Sequence, residues 1–207
     1  MYNKPIIVFE GIEASGKSLH IENVSRYLKK KNLKFIKIRE PGGNSNSEKI
    51  RKIILNINSN FNKKTDLLLY LAARSENIEK IIKKNYKKKI TLIDRFVDST
   101  LAYQHYGMGL NKKFIQTTNN FILDNIKVDF TFLNLVNKKN LLKRLKERIK
   151  LNRYDKFDTK FYIKVQNGFI KISKKHRNKY LKINSNIEIV KNKKIIINKI
   201  NQLLNIK

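Results

Sequence analysis

The sequence predicts an α/β fold in which helices cover both faces of a five-stranded parallel sheet. Three observations support this prediction: five short apolar runs, stripes of apolar residues at helical spacing between them, and a glycine-rich turn directly after the first run. Apolar runs that do not alternate with polar residues are typical of parallel strands buried on both faces. Strands that alternate with helices are typical of doubly wound α/β domains.

Each apolar run predicts one strand, and the stripes between them predict helices. The predicted strands are residues 6–9, 35–38, 90–93, 130–135 and 187–190. Helical stripes occupy residues 50–57, 114–122, 141–149 and 196–203. Neither an internal repeat nor a Pro/Gly/Ser-rich linker divides the chain, so we expect one domain over residues 1–207.

The formal charge of +31 first suggests a nucleic-acid partner, because basic residues neutralise phosphates. A compositional explanation competes with this interpretation. The excess is mostly lysine, it is scattered along the whole chain, and Lys, Ile and Asn all have A/T-rich codons. We therefore expect weak, nonspecific binding to polyanions but no specific nucleic acid.

The chain has no cysteine, which excludes disulfides and thiolate metal sites and suggests a reducing compartment. The N-terminus lacks the apolar core of a signal peptide, and no uncharged apolar stretch approaches the ~20 residues needed to cross a bilayer. We expect a soluble cytoplasmic protein without a membrane partner.

The glycine-rich turn matches the Walker A pattern, Gly11-x-x-x-x-Gly16-Lys17-Ser18, with a predicted strand before it and a helical pattern after it. Its backbone N–H groups and the helix N-terminus would hold phosphates. Lys17 would reach the β- and γ-phosphates, and Ser18 would ligate Mg²⁺. The sequence therefore predicts ATP with Mg²⁺ in a P-loop NTPase three-layer fold. The predicted ATP-binding loop consists of Gly11, Ile12, Glu13, Ala14, Ser15, Gly16, Lys17 and Ser18.

Ala14 stands where many such loops have a further glycine. If this residue needs a positive φ, alanine costs about 1–2 kcal/mol there. We expect such a cost to weaken the loop without abolishing it.

Four motifs downstream narrow the class of phosphate-loop protein. They are "REPGG" (39–43), "YLAAR" (70–74), "DRFVDSTLAYQ" (94–104) and "RLKERIKLNRYD" (144–155). In this order and at this spacing, from residue 8 to about 165, the chain resembles bacterial thymidylate kinases. The GTPase motifs D-x-x-G and N-K-x-D do not occur, which disfavours a GTPase.

The arginines support the same interpretation. Seven of the nine arginines fall in these motifs or in the neighbouring "EKIR" (48–51), although the chain otherwise prefers lysine. Arginine holds phosphate with a planar fork that lysine does not have. A requirement for forked recognition of an acceptor phosphate explains this concentration.

The resemblance implies a dTMP site. Arg39, Arg51 and Arg95 would hold its phosphate, Tyr70 would stack on thymine, and Tyr103 would favour deoxyribose. Arg74 and Gln104 would read the polar edge of the base, Ser99 would complete the site, and Pro41 would shape the turn behind Arg39. The implied dTMP-binding set is Arg39, Pro41, Arg51, Tyr70, Arg74, Arg95, Ser99, Tyr103 and Gln104.

The resemblance also implies a helical lid at about residues 144–160, a homodimer and a set of catalytic residues. Asp94 would contact Mg²⁺ through water, and Arg144 would contact ATP. Because "EASG" in the phosphate loop contains no arginine, a lid arginine would complete the transition-state cage: Arg148 first, Arg153 second. The implied catalytic set is Lys17, Arg148, Arg153, Arg95 and Glu13.

Three alternatives remain open at this point: a kinase for another nucleotide or nucleoside, a nucleic-acid-dependent ATPase, and a protein that binds ATP without transferring phosphate. Two departures from the family pattern, "NRYD" for D-R-x-E and "NSN" at 184–186, concern the lid and the adenine side. They leave the preferred donor base undetermined.

Overall fold

The computed structural model describes residues 3–147, 149 and 152–206. Five parallel strands form one sheet in the order β2-β3-β1-β4-β5. The strands are β1 (Ile6–Glu10), β2 (Phe35–Arg39), β3 (Ile90–Asp94), β4 (Phe130–Leu135) and β5 (Tyr180–Asn184). This arrangement confirms the predicted five-stranded parallel sheet.

Helices connect the strands and cover both faces of the sheet. The α-helices are α1 (Lys17–Lys30), α2 (Ser45–Leu55), α3 (Lys63–Asn77), α4 (Lys83–Asn85), α5 (Val97–Thr100), α6 (Lys112–Leu123), α7 (Lys138–Lys146), α8 (Thr159–Lys175) and α9 (Ile189–Leu204). π-Helical turns follow α3 and α5, at Ile78–Ile82 and Leu101–Gly107. No helix within the described part of the chain is long and apolar enough to span a bilayer.

The central strand β1 explains why the apolar runs do not alternate with polar residues. Ile7 and Phe9 pack on one face with α1 and α9, whereas Ile6 and Val8 pack on the other face with residues that follow α3. Successive side chains of a strand point to opposite faces, so a strand covered on both faces needs apolar residues throughout.

The predicted fifth strand at residues 187–190 is wrong. These residues lie before and at the start of α9, where Ile189 and Val190 are 54% and 74% exposed. The actual strand, β5, lies at the sheet edge and pairs only with β4. It contains Lys182 between Leu181 and Ile183, because one side of an edge strand contacts solvent. A rule that requires a continuous apolar run therefore misses it.

The sheet brings three functional segments to one edge. The phosphate loop follows β1, Arg39 ends β2 and Asp94 ends β3. In the strand register Asp94 pairs with Arg39 of β2 on one side and with Phe9 of β1 on the other. Ligands of open α/β sheets bind outside the carboxyl ends of the strands, so this edge is the expected position of a site.

The helix α8 packs closely on the π-helical turn after α5, at Gly168. A Cβ atom added to Gly168 would lie 2.7 Å from three atoms of the Tyr106 side chain. We predict that Gly168→Ala lowers the unfolding free energy by up to about 2 kcal/mol. Overpacking of this kind costs about 1–3 kcal/mol, and the better helix propensity of alanine offsets at most about 1 kcal/mol.

Thermal or urea unfolding measures this change. The matched control is Asn167→Ala, an exposed neighbour on α8, which we expect to shift stability by less than about 0.5 kcal/mol. Equal stability of the two variants would contradict the close contact.

Candidate active site

The phosphate loop has the conformation that its sequence predicts. Gly16, with φ of 87°, precedes α1, and Gly11, with φ of 142°, lies so close to Asn134 that a Cβ atom would be 2.5 Å from that carbonyl oxygen. The Lys17 ammonium is buried and donates to the carbonyl oxygens of Gly11 at 2.9 Å and Ile12 at 2.8 Å. It also contacts the Ser15 hydroxyl at 3.4 Å.

Ala14 adopts the left-handed conformation, with φ of 54°. The strain that we expected for alanine at this position is therefore present, at about 1–2 kcal/mol. The carbonyl oxygen of Ala14 accepts a hydrogen bond at 3.1 Å from Arg144, which also donates to the Ser185 carbonyl at 2.7 Å. Arg144 thus joins the phosphate loop to the turn after β5.

Burial, and next the nearby Arg95 guanidinium, lower the pKa of Lys17 from 10.5 to about 8. Asp94 and Glu13 act in the opposite direction but do not outweigh burial. A phosphate group that arrives at the loop supplies the negative charge that favours the protonated amine.

The residues at the end of β3 fit a magnesium ion. The Ser18 hydroxyl donates to Oδ2 of Asp94 at 3.0 Å. Oδ1 of Asp94 is buried and has no hydrogen-bond partner among the described residues. Mg²⁺ prefers oxygen ligands and usually keeps several waters, so one hydroxyl and one carboxylate suit it when phosphates supply further oxygens. No group of three His, Asp or Glu residues within the described ranges forms a metal cage.

Arg95 joins β3 to the phosphate loop. Its Nη2 donates to Oε1 of Glu13 at 2.9 Å, and its Nη1 donates to the Gly11 carbonyl at 2.9 Å. The Tyr103 hydroxyl donates to the other oxygen of Glu13. Burial would raise the pKa of Glu13, but Arg95 and Lys17 outweigh it and hold this pKa below its usual value. Both charges of the pair therefore persist at neutral pH.

Glu10 holds the turn that carries Arg95, and sequence reasoning missed it. Its fully buried carboxyl group accepts hydrogen bonds from the Phe96 and Ser99 amides at 2.8 and 3.2 Å. It also accepts from the Ser99 hydroxyl at 2.5 Å. Burial, and next the Asp98 charge, raise the pKa of Glu10 to about 8. The signal available in the sequence was a glutamate that ends an otherwise apolar strand.

Two adjacent cavities lie beside these residues. The phosphate cavity encloses about 700 Å³, including space open to solvent, and it contains Lys17 and Ser18 together with Arg39, Arg51 and Arg95. The second cavity contains Arg74, Tyr103 and Gln104, and we call it the acceptor cavity after the role predicted for these residues. It encloses about 330 Å³, including space open to solvent, and its lining is mostly aromatic or polar. Five residues line both cavities: Glu13, Glu40, Tyr70, Arg95 and Tyr154. The structure therefore brings the predicted triphosphate and acceptor residues together.

The two other arginines of the phosphate cavity differ in exposure. Arg39 is exposed, whereas Arg51 is half-buried and donates to the Pro41 carbonyl at 2.5 Å. Burial, and next the charge of Arg39, lower the pKa of Arg51 to about 10, so it remains cationic at neutral pH. The Glu40–Pro41 peptide, at the turn behind Arg39, is cis.

Arg74 is oriented by a buried ion pair that the sequence did not reveal. Its Nε donates to Glu40 at 2.8 Å, and its Nη1 donates to Asn119 at 2.6 Å. Both charged side chains are less than 5% exposed. Arg74 lines the acceptor cavity, and neither of these two hydrogen bonds uses its Nη2. Glu40 thus selects the direction of the guanidinium fork.

The remaining predicted residues of the acceptor cavity are Tyr70, Ser99, Tyr103 and Gln104, and all four line it. Gln104 is buried, and its amide nitrogen has a long contact of 3.4 Å to the Tyr154 hydroxyl. A contact of this length is a weak hydrogen bond, so the amide can turn to a ligand at little cost.

The predicted lid segment, at about residues 144–160, contains the end of α7, a 3₁₀ turn at Arg153–Lys156 and the start of α8. Arg148 lies outside the described residues. Arg153 pairs with Asp66 and lines a different cavity from the one that contains Lys17. For Arg153 to reach the phosphates, this ion pair would have to break.

The pKa of Lys17 predicts how nucleotide binding depends on pH. We expect the affinity for MgATP to be constant up to pH 8 and to fall above it, by up to tenfold per pH unit, because the neutral amine loses its attraction to phosphate. The last ionisation of a phosphate has a pKa of about 6, well below the pKa of Lys17. Isothermal titration calorimetry from pH 6.5 to 9.5 measures this.

Lys17→Arg is the control, since arginine stays charged at high pH. Its affinity should be lower but nearly independent of pH. Glu10 titrates in the same range, so a fall that persists in Lys17→Arg would assign the effect to Glu10 instead of Lys17.

Comparison with known proteins agrees with this geometry. Residues 9–194 match the family model described as thymidylate kinase. The thymidylate kinase of Thermosipho africanus is 42% identical over 84% of this chain and 87% of its own length. That of Sulfurihydrogenibium sp. is 37% identical over 95% and 96%. The crystal structure of thymidylate kinase from Ehrlichia chaffeensis superimposes with a TM-score of 0.79 at 30% identity, over 96% of this chain and 98% of that one. On this sequence and structural similarity, the chain belongs to the thymidylate kinase family.

Proposed function

We propose that ATP binds on the phosphate loop and dTMP binds across the two cavities, and that the γ-phosphoryl group passes between them to give dTDP and ADP for dTTP synthesis. The observation that carries this proposal is the phosphate cavity, in which Lys17 lies together with three arginines. Lys17 serves the donor, whereas Arg39, Arg51 and Arg95 serve an acceptor that is itself a phosphate.

The acceptor cavity suits a thymine base. Tyr70 offers a ring for stacking, Nη2 of Arg74 can donate to a carbonyl, and Gln104 supplies both an acceptor and a donor for N3–H and its neighbour. Tyr103 is fixed against Glu13, where its ring crowds the 2′ position of the sugar and favours deoxyribose. Ser99 lines the cavity and keeps Arg95 in place.

The transfer needs no strong general base, because the attacking oxygen of dTMP is already an anion. This oxygen forms a bond to the γ-phosphorus while the bond from that phosphorus to the β–γ bridging oxygen breaks, and ADP leaves with the electron pair. The chain contributes position and positive charge. Arg95 holds the acceptor phosphate, Lys17 contacts the β- and γ-phosphates, and Glu13 prevents Arg95 from rotating away.

Ser18, and Asp94 through water, would hold Mg²⁺, which when bound neutralises charge on the β- and γ-phosphates. Arg144 supports the ATP side through its contacts with the loop and with the turn after β5. We assign the transition-state arginine to Arg148 in the lid, with Arg153 as the second choice. An arginine of this kind contributes ~10³-fold or more to the rate.

We propose further that residues 1–207 form a single domain with its lid at about 144–160, and that this domain acts in the cytoplasm as a homodimer. The support for a dimer is an apolar face on α3 and α6. Leu68 and Phe114 are about half exposed and line one groove, and Phe121 lies two turns after Phe114 and is 84% exposed. A second copy of the chain would cover these side chains.

We predict that Phe121→Asp weakens the dimer at least tenfold. Burial of a phenylalanine contributes about 1.5–3 kcal/mol, and 1.4 kcal/mol is a factor of ten in affinity. Sedimentation velocity over a range of concentrations measures the change. The control is Ile195→Asp, which alters an apolar residue that is 43% exposed on α9. A wild-type monomer at high micromolar concentration would refute the dimer.

The function is tested by ADP release with dTMP, dUMP, UMP and thymidine as acceptors. We expect turnover with dTMP to exceed turnover with UMP at least 100-fold and turnover with thymidine by more, since thymidine lacks the phosphate that three arginines hold. Addition of DNA or RNA should not stimulate ADP release. Preference for another acceptor would indicate a different nucleotide kinase, and stimulation by nucleic acid would indicate an ATPase of another class.

A further inference from the structure

Asp66 is a buried charge whose partners come from a distant part of the chain. It lies in the first turn of α3 and is 2% exposed. A buried carboxylate needs partners, because transfer from water without them is costly. Arg153 donates to Oδ1, and the Tyr154 hydroxyl donates to Oδ2 at 2.6 Å. One carboxylate therefore holds two consecutive residues of the lid segment against α3.

Tyr154 is fixed at both of its ends. Its hydroxyl contacts Asp66, and its backbone carbonyl accepts from the Tyr162 hydroxyl at 2.8 Å. Between these contacts the ring is 3% exposed and meets Tyr70 and Tyr103 edge-on, at centroid distances of 6.1 and 5.9 Å. Tyr154 lines both cavities, so its ring forms a wall of the site that would enclose the acceptor.

Arg153 strengthens the same connection. Its guanidinium lies 5.3 Å from the centre of the Tyr154 ring and 5.7 Å from that of Phe61, which precedes α3. Cation–π contacts of this kind add to the ion pair with Asp66. The C-terminal end of the lid segment is thus held to the connection between α2 and α3 as well as to α3 itself.

We propose that Asp66 is a positioning residue for acceptor binding, which holds Tyr154 as a wall of the acceptor cavity and anchors the end of the lid segment beside it. This inference rests on the proposed function for the identity of the acceptor, dTMP. Asp66 lines neither of the two cavities, and its oxygens serve Arg153 and Tyr154. It therefore acts through Tyr154. When the Tyr154 ring is already fixed, binding of the acceptor does not have to order it, and less affinity is lost.

The test is Asp66→Asn, which keeps the size of the side chain but removes its charge and one of its two acceptors. We expect the KM for dTMP to rise at least tenfold. The KM for ATP should change less than twofold and kcat less than threefold, because the phosphate loop is untouched. Each KM is measured with the other substrate saturating, and calorimetry with dTMP alone should show the same loss of affinity.

Three further variants separate positioning from a general loss of stability. Glu76→Gln neutralises an exposed ion pair on the same helix and should leave both KM values unchanged. Asp66→Glu restores the carboxylate and should recover most of the affinity for dTMP. Tyr154→Phe removes only the hydroxyl, and it should raise the KM for dTMP in the same direction. The double variant Asp66→Asn/Tyr154→Phe should be no worse than Asp66→Asn alone.

The inference is overturned if Asp66→Asn raises both KM values equally, or if it lowers the melting temperature and leaves the KM for dTMP within twofold. If Asp66→Asn does not fold, the inference is overturned by an unchanged KM for dTMP in Tyr154→Phe. A wild-type enzyme without dTMP turnover refutes the proposed function instead. In that event limited proteolysis with trypsin tests the inference. Faster cleavage between residues 143 and 156 in Asp66→Asn than in Glu76→Gln would support the role of Asp66 in holding the lid segment, and equal rates would overturn it.

Discussion

The ion pair between Arg95 and Glu13 is the interaction on which the two halves of the site depend. Glu13 belongs to the phosphate loop and Arg95 to the turn after β3, so the pair connects the proposed donor side to the proposed acceptor side. Arg95 has a positive φ of 65°, which is unfavourable for a residue with a side chain. Glu10 stabilises this conformation by accepting hydrogen bonds from the next turn of backbone. Glu13 thus pairs with the Arg95 guanidinium, and Glu10 holds the backbone turn that carries Arg95.

Acidic residues are scarce in this chain, and the site uses them where cations have to be buried. Glu13 pairs with Arg95, Glu40 with Arg74 and Asp66 with Arg153. Breaking a fully buried pair such as Arg74–Glu40 costs about 3–5 kcal/mol, because the remaining charge has no partner. Most of the other basic residues are lysines on the surface, where solvent screens them. The basic composition and the arginines of the site therefore have separate explanations.

From the sequence alone it was possible to predict the phosphate loop and the arginines that share a cavity with Lys17, but not the residues that support them. The loop is a local motif whose geometry follows from its glycines, and an arginine in a lysine-rich chain is conspicuous. Glu10, Glu40 and Asp66 gave no comparable signal, because each acquires its role from a partner 34 to 89 residues away. The edge strand β5 was misplaced for a related reason, since its single buried side depends on its neighbour β4 and not on its own composition.

The phosphate loop offers ATP one cationic side chain, Lys17, and no arginine of its own. Water that enters beside bound ATP in the absence of the lid therefore meets a terminal phosphate whose charge is only partly neutralised. If the lid supplies the missing charge, as we propose, futile loss of ATP to solvent stays slow until the lid closes over the site. A phosphate loop without an arginine would thus make nucleotide consumption depend on closure of the lid.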